Sequence, residues 1–166
     1  MRINDIEQFF KGNVPKKTLT ELSLDSNNNI SLINSDNQSF DFDNIDTPII
    51  QRDKIKTSDT IYFKNGKVIF IEFKRGQRIP ETDFRLKAME SIVTFYNYVF
   101  NQNFTDNICF PNDLFQIYFI YNKDNISATA LPYFRNLERK FRTQFKHFIS
   151  EYHIIESDEF IRLFNT

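Results

Sequence analysis

Two residues, Asn65-Gly66, constrain this chain more than any others. An Asn-Gly pair between runs of β-branched and aromatic residues signals a two-residue type I′ turn, because both central positions of that turn need φ > 0. Ile61-Tyr62-Phe63 precede it and Val68-Ile69-Phe70-Ile71 follow it. With that turn the register is set: Lys64 faces Lys67, Phe63 faces Val68, Ile61 faces Phe70 and Asp59 faces Glu72. Counting alternate pairs outward makes Asp59–Glu72 a non-hydrogen-bonded pair, with Cα atoms about 4.5 Å apart. Lys74, two residues past Glu72, projects from the same face. Two carboxylates and an ammonium are thus expected side by side at the end of an apolar hairpin. Facing like charges destabilise a sheet, and a divalent cation between them removes that penalty.

Both faces of the hairpin are apolar. Ile61, Phe63, Val68 and Phe70 form one, and Tyr62, Ile69, Ile71 and Phe73 the other. Strands of that kind are sandwiched between layers. Upstream, residues 3–11 have helical spacing, with Ile3, Ile6, Phe9 and Phe10 on one side, and Gly12 and Pro15 end the pattern. Residues 20–24, 30–33 and 39–42 read as strands separated by Asn-, Asp- and Ser-rich loops, an added N-terminal antiparallel meander. Residues 51–56 read as one more strand before the hairpin. Downstream, residues 81–103 carry Phe84, Ala88, Ser91, Ile92, Phe95 and Val99 at helical spacing. Residues 115–121 form a nearly continuous apolar run of strand length. Residues 133–150 give a second helix with Phe134, Leu137, Phe141, Phe145 and Phe148 as its buried stripe. Residues 151–155 read as a last strand and 157–164 as a short capping helix. This order predicts an α/β sandwich, a mixed central sheet flanked by helices, as one domain over residues 1–166. Its parts are an N-terminal helix and strands (1–56), a core (57–121) and C-terminal helices (122–166).

The chain has 166 residues, enough to bury a sizeable core, and its 20 Phe with no Trp make Phe the main core filler. A net charge of -1 says little about partners, but residues 60–150 hold 13 Lys/Arg against 8 Asp/Glu. The positive charge therefore lies in the segment that holds the hairpin, as a polyanion-binding surface requires. One cysteine, Cys109, excludes an intramolecular disulfide, and two histidines, His147 and His153, are too few for a His/Cys zinc site. Neither a signal peptide nor a spanning segment is expected. The expected setting is therefore the cytoplasm and not a membrane. Abundant Asn, Ile, Lys and Phe suit an AT-rich phage or other mobile element, whose product works in the host cytoplasm or the virion.

Asp59, a turn, then Glu72-Phe73-Lys74 at the end of the next strand resembles the PD-(D/E)xK nuclease superfamily, which has the restriction-endonuclease-like fold. Its core runs helix, three-stranded antiparallel meander, helix, strand, and the match in order and spacing covers residues 57–121. The resemblance implies a metal-dependent deoxyribonuclease, endo- or exo-, that hydrolyses phosphodiester bonds of DNA with Mg²⁺ or Mn²⁺. Asp59 and Glu72 are then metal ligands, with the main-chain carbonyl of Phe73, and Lys74 orients the attacking water and stabilises the transition state. The chemistry asks for the same groups, since Mg²⁺ is commonly held by one or two carboxylates plus water and substrate phosphate. Ser58 stands where the pattern has proline. Glu7 is the candidate for the acid that many members carry on the first helix, and Lys87, with Glu90 near it, for the Lys or Gln of the following helix.

Beside the expected metal, Arg75, Gln77 and Arg78 are placed to touch DNA. Arg135, Arg139, Arg142 and Lys146 form a stripe on the second helix, opposite its Phe face, that can track a phosphate backbone. The stripe has a plainer reading as an ordinary solvated helix face. A different class of function also fits: a catalytically idle nuclease fold serving as a nucleic-acid-binding or assembly subunit, homo-oligomeric or with other proteins, for instance in a phage particle or head-tail connector. An inhibitor that mimics DNA fits less well, because the middle of the chain is basic.

Overall fold

A computed structural model describes residues 3–45, 55–75, 79–104 and 113–164. Asn65 and Gly66 take φ values of 54° and 73°, the left-handed pair that a type I′ turn demands. The strands on either side, β5 (Thr60–Lys64) and β6 (Lys67–Lys74), pair in the expected register, from Lys64 opposite Lys67 out to Thr60 opposite Ile71. Around this hairpin lies a six-stranded mixed sheet, ordered β1-β4-β5-β6-β7-β8. Its other strands are β1 (Lys16–Thr18), β4 (Gln38–Asp41), β7 (Phe115–Tyr121) and β8 (Glu151–Glu156). The first four strands in that order pair antiparallel, whereas β7 runs parallel to β6 and β8 parallel to β7. Each parallel step needs a crossover, supplied by helices α3 (Glu81–Asn101) and α4 (Ala130–Gln144).

The two apolar faces of the hairpin meet two different layers. Ile61, Val68 and Phe70 pack with Ile6 and Phe10 of α1 (Ile3–Asn13), Phe84, Ile92 and Phe95 of α3, and Phe134 and Phe141 of α4. Ile69 and Ile71 face the opposite way. They pack with Tyr118, Ile120 and Ile155 of the sheet, Leu32 and Ile33, Leu19 of the four-residue α2 (Leu19–Leu22), and Phe160 of α5 (Ser157–Phe164). A sheet covered on both faces is what continuous apolar strands require. Among the described residues, no helix is long and apolar enough to cross a membrane.

The N-terminal third departs from expectation. Instead of a strand over 20–24, Thr18 caps a helical turn. Its hydroxyl accepts from the Glu21 N–H at 3.2 Å, and the Glu21 carboxylate accepts from the Thr18 N–H at 2.8 Å. This capping box overrides the alternation of Thr20, Leu22 and Leu24. Nor do the three expected strands form one meander. β2 (Leu24–Asp25) and β3 (Ile30–Ser31) make a separate two-stranded sheet, while β4 joins the main sheet between β1 and β5. Of the strand expected over 51–56, residues 51–54 lie outside the described residues, and Ile55 and Lys56 are not in a strand. The helix expected over 133–150 begins three residues earlier, since Pro132 is tolerated in a first turn, and it ends at Gln144.

Candidate active site

Three elements meet where β5 begins and β6 ends. Asp59 precedes β5, and its carbonyl accepts from Phe42 N–H at 3.2 Å. Its side chain turns toward β6, where Oδ2 accepts from Phe73 N–H at 2.6 Å. The carboxylate therefore lies against the backbone between Glu72 and Lys74. Val68 N–H donates across to Leu114 on the β7 side. Ladder alternation then turns the backbone groups of residue 73 toward β5, so the Phe73 carbonyl shares the Asp59 side.

Glu72 is buried, with 3% of its surface exposed. Lys74 Nζ lies 3.0 Å from its Oε1. Lys87 Nζ, reaching in from α3, lies 3.0 Å from Oε2, an ion pair whose angle falls outside hydrogen-bond geometry. A buried carboxylate needs such partners, because an unpaired buried charge is costly. Lys87 also donates to the Thr57 carbonyl at 2.5 Å. Burial pushes its ammonium down, but Glu72 and Asp59 outweigh that and hold it above its usual 10.5.

Asp59 is the group out of balance. Burial and the neighbouring Glu72 carboxylate hold its carboxyl well above the usual 3.8, against the pull of Lys87 and the Phe73 N–H. Asp43 pushes in the same direction as Glu72. One more positive charge beside Asp59 would bring it down. The donor set has two carboxylates and a backbone carbonyl. Among the described residues no group of three or more His, Cys, Asp or Glu is placed to hold a metal, so nothing here resembles an all-protein cage. Such a set fits a hard cation whose other ligands are water and substrate phosphate.

Sequence reasoning named Lys87 and Ser58 but assigned no positioning of Asp59 to them or to Thr57 and Ser91. Ser58, in the proline's place, is fully buried; its N–H donates to Ser91 Oγ at 2.8 Å, and the two hydroxyls lie 2.8 Å apart. Ser91 Oγ in turn donates to the Lys87 carbonyl at 2.6 Å. The Thr57 hydroxyl donates to Asp43 Oδ1 at 2.6 Å. Lys87 and Ser91, one helical turn apart on α3, thus hold residues 57 and 58 and aim Asp59 at β6. The four-residue spacing of these two polar side chains in an otherwise apolar stripe was the available signal.

The other candidates separate. Glu7 pairs with Lys11 on its own helix at 2.8 Å. The Glu90 carboxylate accepts the Lys56 N–H. Arg75 follows Lys74 and, with Asp59, lines a cavity; Gln77 and Arg78 lie outside the described residues. On α4, Arg135 and Arg139 are exposed. Arg142 is committed elsewhere, 2.7 Å from Glu138, donating to the Tyr152 carbonyl at 2.8 Å and 2.8 Å from His153 Nδ1. Lys146 lies past the end of α4, so the four basic residues do not form one helical stripe. No model of a known protein family matches the chain, and neither a curated protein nor a solved structure does.

Proposed function

We propose that this chain is a metal-dependent nuclease of the PD-(D/E)xK type that hydrolyses phosphodiester bonds of DNA. The observation that carries the reading is Asp59, a carboxyl held above its normal range beside Glu72, with Lys74 and Lys87 converging on the same point. The element order supports the finer fold: α1, an antiparallel β4-β5-β6 meander, α3, then β7 parallel to β6, as in the core of that superfamily. Asp59, Glu72 and the Phe73 carbonyl would hold Mg²⁺ or Mn²⁺, which would lower the pKa of a bound water and neutralise charge on phosphoryl oxygens. Lys74, tied to Glu72, is placed to orient the attacking water and to meet the negative charge that develops on the phosphate. Lys87 pairs with Glu72 and, through Thr57, keeps Asp59 in place.

A second reading is favoured by one specific observation: both Glu72 oxygens already have a lysine at 3.0 Å. A carboxylate so neutralised can serve as a structural pair in an idle nuclease fold that binds nucleic acid or assembles with other copies or proteins. Cleavage separates the two. Duplex, single-stranded and branched DNA are incubated with the protein in Mg²⁺, Mn²⁺ or EDTA, beside Asp59→Asn, Glu72→Gln and Lys74→Ala. The nuclease reading expects cation-dependent cleavage, reduced on the order of 10²–10³-fold in each variant. Folded wild-type protein that cuts none of these substrates with either cation leaves the second reading standing.

A further inference from the structure

Arg75 stands on the opposite side of β6 from Lys74. Side chains alternate along a strand, so Lys74 joins Glu72 in the site while Arg75 follows Phe73 to the other face. There it lines a cavity of about 290 Å³ together with residues 22–25, Phe73 and Asp59. Arg75 Nε and Nη2 are buried and, among the described residues, have no hydrogen-bond partner. Asp25, on that side, feels the charge of Arg75 but makes no hydrogen bond to it. It spends its carboxylate on its own loop, accepting from Asn27 N–H at 3.0 Å and Asn28 Nδ2 at 2.7 Å. Nor does Ser23 bond to Arg75; its hydroxyl accepts from Ile33 N–H at 2.9 Å.

Two guanidinium nitrogens left without acceptors among the described residues are a poor structural choice, and the planar fork matches the oxygens of a phosphate. The volume equals roughly ten waters, room for one sugar-phosphate unit and not for a duplex. Asp59 is common to the cavity and to the candidate active site, so a group seated here is adjacent to the point of cleavage. We propose that this cavity receives one phosphate of the substrate strand, next to the phosphate that is cut, with Arg75 as its binding residue. This rests on the nuclease reading for its substrate, and it divides the basic run after β6 into two roles. Lys74 serves the chemistry, while Arg75 sets the position of the strand.

The test is binding without metal. Anisotropy of a labelled short single strand is measured in EDTA with wild-type protein, Arg75→Gln and Leu24→Trp. Leu24 is exposed and lines the cavity, so the larger ring fills it while Arg75 itself is unchanged. Three forms of the strand are used: one with a 5′-phosphate, one with a 3′-phosphate and one with hydroxyls at both ends. Both variants are expected to bind at least ~10-fold more weakly. A loss confined to one phosphorylated form identifies a terminal phosphate as the ligand. An equal loss on all three identifies an internal phosphodiester. Variants that bind every form as wild type does overturn the proposal. Because no cation is present, a wild-type protein that binds through Arg75 yet never cuts would count against the nuclease reading alone.

Discussion

Asp59 is the residue whose chemistry is most exposed to measurement. Its folded-state value lies above its unfolded one, so the protonated form favours the fold. That contribution is fully present below the usual 3.8 and is lost as pH rises through the raised folded value. Asparagine keeps an acceptor for the Phe73 N–H and removes the titration. In EDTA, Asp59→Asn should therefore melt higher than wild type at neutral pH, and its advantage should grow as pH climbs from about 4 until Asp59 is ionised. Melting curves that stay parallel across that range would show that Asp59 is not held up. Lys87 gives the complementary case. Lys87→Met leaves the buried Glu72 with one cation in place of two, and should cost about 3 kcal/mol in urea unfolding. Adding Glu72→Gln should recover most of that loss, because it removes the stranded charge.

At the scale of elements, the hairpin is where local chemistry decides geometry. Gly66 has φ +73°, and a Cβ placed there would meet nothing within 4 Å. Gly66→Ala should therefore cost only its backbone strain, about 1–2 kcal/mol, measured by denaturant titration, with the β5–β6 register and the site retained. A shifted register would mean that Asn65-Gly66 does not set it. This locality explains why the hairpin, the pairing of its strands and the meeting of Glu72 with Lys74 were legible in the sequence. So were α3, β7 and α5, whose apolar spacing is strong. Less legible was whatever depends on a partner far along the chain. Thr18-Leu19-Thr20-Glu21 carries a readable capping box, yet its alternation suggested a strand, and only the burial of Leu19 against Ile69 and Ile71 shows why the turn is kept. Arg142 read as a phosphate contact because the spacing of α4 gives no hint of β8. In the fold, Arg142 donates to the Tyr152 carbonyl, and Glu138 accepts the Ile154 N–H at 3.0 Å. Together they cover the outer edge of the last strand, the edge through which sheets otherwise pair with other chains.

Across the whole molecule, the sheet separates two apolar layers, and the candidate site lies where the strand ends of β5 and β6 leave both. Asp59 is tied to β4 by its carbonyl, to β6 by its carboxylate and, through Ser58 and Ser91, to α3. A cation bound by Asp59 and Glu72 would consequently be linked to most of the fold. Occupancy stabilises by RT ln(1 + [L]/Kd), about 1.4 kcal/mol at tenfold excess over Kd, which for a chain of this size raises Tm by roughly 3–6 °C. Mg²⁺ or Mn²⁺ at millimolar concentration should therefore raise the melting temperature of wild type. It should do so more strongly at pH 8 than at pH 5, because the ion competes with the proton on Asp59. Asp59→Asn should remove both the shift and its pH dependence. Ca²⁺ is tested as a third hard cation, and Asp59→Asn is the control that separates site binding from general charge screening, since screening would act equally on wild type and variant. A wild-type protein whose melting temperature ignores all three ions at pH 8 would leave Glu72 to Lys74 and Lys87, its counter-charges among the described residues, and the fold would then be serving something other than hydrolysis.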